Sequence, residues 1–178
     1  MIYIMLFNGA AVVADIVGEL GYLTLGSRLK RLGERLQAQT QVMLAELEIG
    51  LPASQFPLLA ALDRLGPLSV GQLAQAVGVS QPGVSRMLEN LQADGLVRSR
   101  RLAGDRRLRP IVLTKAGRQL MARSKELAWP RIEAAVADAC AGGSGSLLAQ
   151  LSALEEALAA AHLHVRAGRT TARGRRHA

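Results

Sequence analysis

Residues 68–117 read LSVGQLAQAVGVSQPGVSRMLENLQADGLVRSRRLAGDRRLRPIVLTKAG. Ser69, followed three residues later by Gln72, is the pattern of a capping box, in which each side chain satisfies a backbone N–H at the start of a helix. The short helix predicted from there, 72–77, ends at Gly78–Val79. Ser80 caps a second helix, where Pro82 is tolerated because the first turn needs no N–H from it. Asp94–Gly95 stops that helix with a left-handed glycine. Leu73, Val77, Val79, Val84, Leu88 and Leu91 make the inner face that would join the two helices. Gln81, Pro82, Ser85, Arg86, Glu89 and Asn90 make the opposite face. Two β-prone runs, 96–102 and 107–113, flank Ala103–Gly104–Asp105–Arg106 and predict a hairpin. Pro110 cannot donate to a ladder, so the second run is an edge strand or is interrupted there.

Two short helices around a tight glycine turn, then a basic hairpin, give the outline of a winged helix-turn-helix. An ordinary helical hairpin is the alternative, and the placement of charge argues against it. Residues 52–97 hold two basic and three acidic side chains, whereas 98–131 hold eleven basic and two acidic, a net charge of +9. A solubility face would mix signs. A one-sign stripe beside a polar helix face is the footprint of a polyanion partner, and double-stranded DNA suits it best: the helix N-terminus favours phosphate, and Gln and Arg pair with base edges.

The same stretch resembles the winged core of MarR-type transcription regulators. The resemblance rests on Ser85–Arg86, Gly95–Leu96–Val97, Asp105–Arg106–Arg107 and Leu113–Thr114–Lys115–Ala116–Gly117 taken together, and extends over roughly 20–158. It implies a mainly α fold with a small β-hairpin wing, flanked by terminal helices through which two copies dimerise on a pseudo-palindromic operator. It also implies a repressor released by a small amphipathic or aromatic ligand, with Tyr22, Phe56 and Trp129 on the elements that would line a ligand crevice. The candidate DNA-binding residues are Ser69, Ser80, Gln81, Pro82, Gly83, Ser85, Arg86, Arg100, Arg101, Asp105, Arg106, Arg107 and Arg109. Among them the resemblance places Arg107 in the minor groove, with Asp105 holding it in line.

Working outward, residues 15–50 carry a leucine stripe (Leu25, Leu29, Leu32, Leu36) at helical spacing, broken by Gly50–Leu51–Pro52. Leu58, Leu59, Leu62 and Leu65 mark another helix, stopped by Gly66–Pro67. Thr114 caps a long helix that Pro130 should kink or restart near Trp129. Leu147, Leu151, Leu154 and Leu158 mark a last amphipathic helix. The expected organisation is an apolar extension (1–14), a dimerisation helix (15–50), the winged domain (51–114), C-terminal dimerisation helices (115–165) and an unstructured basic tail (166–178). Leucine stripes that a small winged core cannot cover imply burial against a second copy.

The 178 residues contain 49% apolar side chains, too many for a disordered chain, and a single cysteine, Cys140, which rules out a disulfide scaffold. Cys140 lies late in a helix near Asp138 and is expected to be inert. The histidines, His162, His164 and His177, all fall near the end, and a helix would point the first two apart. No CxxC, HExxH, GxSxG, phosphate-loop lysine motif or GxGxxG occurs, so neither an enzyme nor a metal or cofactor site is expected. The alternative functions are the DNA-binding module of a larger enzyme and an RNA- or protein-interaction module on the same fold. The uncharged start lacks the basic flank of a secretory signal and is too short to span a bilayer, so the cytoplasm is expected.

Overall fold

The computed structural model describes residues 13–100 and 109–174. Nearly all of the apolar extension, four wing candidates (Arg101, Asp105, Arg106 and Arg107) and the last four residues therefore lie outside the described residues. In chain order the elements are α1 (Ile16–Glu19), a 3-10 turn (Gly21–Thr24), α2 (Leu25–Glu46), a second 3-10 turn (Ala53–Gln55), α3 (Phe56–Leu65), α4 (Val70–Val77) and α5 (Gln81–Ala93). Strands β1 (Val97–Ser99) and β2 (Ile111–Leu113) follow, then α6 (Lys115–Arg123), a π turn (Ser124–Ala128), α7 (Trp129–Cys140), α8 (Leu147–Ala160) and α9 (Leu163–Gly174).

Packing divides the chain into two compact units, Met1–Ile132 and Glu133–Ala178. The division falls inside α7, and α6 packs with the winged core. Its Met121 is fully buried among Leu51, Leu58, Leu59, Leu62, Leu73, Val84, Leu88, Leu91, Val97, Ile111 and Leu113. A second cluster, Leu44, Ile49 and Ala128, ties the end of α2 to the π turn. Phe56 and Trp129 pack against both clusters.

β1 and β2 pair antiparallel, with Val97 opposite Leu113 and Ser99 opposite Ile111. Ile111 also exchanges two backbone bonds with Leu68, at 2.8 and 3.2 Å, which adds a third short rung to the sheet. Pro110 ends the strand, as its missing N–H requires. Its carbonyl still accepts from the Arg100 N–H at 2.8 Å.

Four expectations need correction. The helix expected to run unbroken from Asp15 is split, because Gly21 takes φ +56°. Asp15 then caps α1 through Gly18 and grips Arg31 with two bonds of 2.7 and 2.9 Å. Val79, assigned to the inner helical face, is 38% exposed, because it sits in the turn rather than on either helix. The tail expected to be unstructured from 166 forms α9 as far as Gly174. Arg166 anchors its start by donating to the Ala157 and Ala161 carbonyls at the end of α8, the first of which also accepts from the Ala161 N–H. Finally, His162 and His164 do not diverge: their rings stack 5.8 Å apart at 11°, because His162 precedes α9 and escapes its helical geometry.

Candidate nucleic-acid interface

The polar face of α5 is fixed from beneath. Val84, Leu88 and Leu91, spaced by four and three, are buried against α4 and the sheet, so Gln81, Pro82, Ser85, Arg86, Glu89 and Asn90 are left exposed. The turn into α5 depends on Gly78, in the left-handed region at φ +67°. Both caps read from sequence are present. Ser69 Oγ accepts from the Gln72 N–H at 3.2 Å while Gln72 Oε1 accepts from the Ser69 N–H at 2.9 Å. Ser80 Oγ accepts from the Gly83 N–H at 3.4 Å. Each serine keeps its own O–H as a donor.

Gly83 is half-buried, and a Cβ there would stand 2.8 Å from Val79 Cγ1. Packing under the turn therefore accounts for this glycine without a ligand. The Gln81 amide lies across Gly71 of α4, 3.6 Å from the position of a Cβ there.

The wing is held to α5 by the two motifs that flank it. Thr114 Oγ1 donates to the Gly95 carbonyl at 2.7 Å, and the Thr114 N–H donates to the Leu96 carbonyl at 2.9 Å. The same hydroxyl accepts from the Gly117 N–H at 3.1 Å to cap α6. A Cβ on Gly117 would meet the Leu96 oxygen at 2.1 Å. Gly95–Leu96–Val97 and Leu113–Thr114–x–x–Gly117 thus form one lock that sets where the hairpin leaves the helix. Above it Arg98, Arg100 and Arg109 are exposed, and no ion pair engages them among the described residues.

The basic run after residue 98 is not a single face. Arg123 donates to the Leu47 carbonyl at 2.9 Å and lies 3.9 Å from Glu48, closing the end of α2. Lys125 is bonded to Asp63 and sits 6.0 Å from the centre of the Trp129 ring. These partners lie 62 and 76 positions away, so local sequence held no sign of them. The crevice residues separate too. Phe56 and Trp129 are half-buried in the core, whereas Tyr22 is 93% exposed on its 3-10 turn. Cys140 is exposed. Among the described residues no group of His, Cys, Asp and Glu could hold a metal ion, and no helix is long and apolar enough to cross a membrane.

A polar helix presented beside a locked basic hairpin defines a winged helix-turn-helix protein. The family model described as MarR family matches residues 49–108. The transcriptional repressor CouR, solved bound to a 23-mer DNA duplex, is 30% identical; the match covers 83% of this chain and 98% of that one, with a TM-score of 0.60. A MarR-family transcriptional regulator from Silicibacter pomeroyi is 31% identical over 83% and 97% of the two chains, with a TM-score of 0.56. A mutant MarR from E. coli complexed with operator DNA shares the fold at 19% identity, over 82% and 99% of the chains, with a TM-score of 0.64. The chain belongs to the MarR family of transcription regulators.

Proposed function

We propose that this regulator acts as a homodimer that binds a pseudo-palindromic operator through α5 and the wing, represses transcription in the cytoplasm, and is released by a small amphipathic or aromatic ligand. The observation that carries the reading is the α5 face. Six polar or proline side chains stand exposed over three buried apolar ones, beside wing arginines that no ion pair engages among the described residues. Gln81 opens a 13-residue helix whose N-terminal dipole favours a phosphate; Ser85 and Arg86 follow in its second turn, and Gln and Arg can make paired bonds to adenine and guanine edges. Arg107 takes the minor groove, where a narrow A·T-rich tract attracts arginine, and Asp105 orients it. Ligand release rests on Phe56 and Trp129, two half-buried rings in contact with both clusters.

Sequencing DNA fragments that co-purify with the protein gives the operator, with half-sites expected about 10 bp apart. Gln81→Ala is then titrated against the recovered duplex and a scrambled duplex of the same length. The expected loss is about 1–3 kcal/mol on the recovered duplex, with little change on the scrambled one. Equal losses on both would assign Gln81 to phosphate alone and remove α5 from base reading.

A further inference from the structure

Away from the α5 face, three arginines converge on one recess. Arg98 lies in β1 and Arg100 one residue past its end, two apart in extended chain and hence on one face of the hairpin, opposite Val112 and Pro110. Arg118 stands in the first turns of α6 and donates to the Leu113 carbonyl at 2.9 Å. With Gly66 and Pro67 at the end of α3, these residues line a recess of about 280 Å³. Its one acid, Asp63, is already paired with Lys125. Neither Arg98 nor Arg100 has a side-chain partner among the described residues, and no residue of α5 lines the recess.

Three arginines thus line one recess with no counter-charge left over among the described residues, an arrangement that repels itself until an anion enters. Each guanidinium presents a planar fork of N–H donors that matches phosphate oxygens in pairs. Together they offer more donors than the two oxygens of a carboxylate can accept.

We propose that this recess is a phosphate-binding site separate from the recognition helix, with Arg98, Arg100 and Arg118 as its ligating side chains. The phosphate comes either from the backbone of duplex DNA beyond the bases read by α5 or from a small phosphate compound. The first source rests on the DNA-binding reading above, and the second does not.

The test uses the full chain in two arms. In the first, inorganic phosphate is titrated into DNA-free protein against chloride at matched ionic strength, and the arginine Nε–H resonances are followed by NMR. In the second, the slope of log K against log salt is measured on a duplex that extends beyond the operator. Arg98→Gln and the double variant Arg98→Gln/Arg118→Gln are compared with the unmodified chain. The single variant guards against loss of the Arg118 bond to Leu113. Saturable shifts that the variants abolish assign a small phosphate. A slope flattened in the single variant and by up to about 0.9 in the double, one phosphate's worth, at unchanged base preference, assigns the DNA backbone. No saturation together with unchanged slopes overturns the proposal. If no duplex is bound at all, the DNA-binding reading fails while the phosphate arm still decides the recess.

Discussion

The leucines of the winged core and those of the flanking helices meet opposite fates. Leu59, Leu73 and Leu91 are completely buried, and the apolar spacing that selects them is matched by strands and helices of the same chain. Leu29, Leu32 and Leu36 follow an equally regular spacing on α2 yet remain 38–44% exposed, and Leu147 and Leu148 of α8 are 47% and 76% exposed. Periodicity alone therefore says that a helix has an apolar face. Whether that face is covered depends on what the chain can bring to it. A stripe that one chain leaves in water is the surface a second copy can bury, and a two-fold pair does so with the same patch on each subunit.

The sharpest way to break the self-contained half is to attack its lock. Gly117→Ala drives a Cβ into the Leu96 oxygen. We expect a loss of stability beyond the usual point-mutant range of about 0.5–3 kcal/mol, read by chemical denaturation. An ordinary melt would show that α6 and the hairpin shift apart freely.

A paired substitution sharpens the contrast itself. Leu91→Ala is expected to cost about 2–5 kcal/mol at any protein concentration. Leu32→Ala is expected to lower the melting temperature in proportion to how far it weakens association, so that its effect changes with concentration. If both losses are independent of concentration, the two regions do not differ in the way proposed.

The parts of this contrast that could be read in sequence are those governed by neighbours. The Ser69, Ser80 and Thr114 caps, the Gly78 turn and the break near Pro130 each need only a few consecutive residues. The break appears as a π turn just ahead of the proline, with Ser124 Oγ donating to the Leu120 carbonyl at 2.8 Å. The α5 face was legible for the same reason. Other features depend on residues remote in sequence or on a single anchoring side chain. Lys125 and Arg123 read as part of a DNA-facing stripe until Asp63 and Leu47 are placed beside them. The tail looks featureless until Arg166 is seen donating to the end of α8. The stacked histidines follow from where one helix begins, which composition does not reveal.

The smallest effect expected concerns the N-terminal join. The Arg31 guanidinium, bonded to Asp15, holds that carboxyl below its ordinary value near 3.8. A carboxyl depressed in the folded state stabilises it above the unfolded value, and this contribution fades as pH falls through the folded value. Asp15→Asn should therefore leave the melting temperature at neutral pH nearly unchanged, because the pair is solvent-exposed. It should also make the acid limb of the melting profile below about pH 4 slightly less steep. A large neutral-pH loss would mean that the α1 cap supports much more than itself.

A second copy is expected to cover the leucine stripes of α2 and the C-terminal helices, and light scattering of the full chain reads that directly. One chain has a mass of 18.9 kDa, and the expected particle is twice that. Leu29→Glu/Leu32→Glu/Leu36→Glu is expected to run at the single-chain mass while the winged core keeps its amide protection. An unmodified chain that stays at 18.9 kDa at all concentrations, or a triple variant that stays paired, would contradict the account.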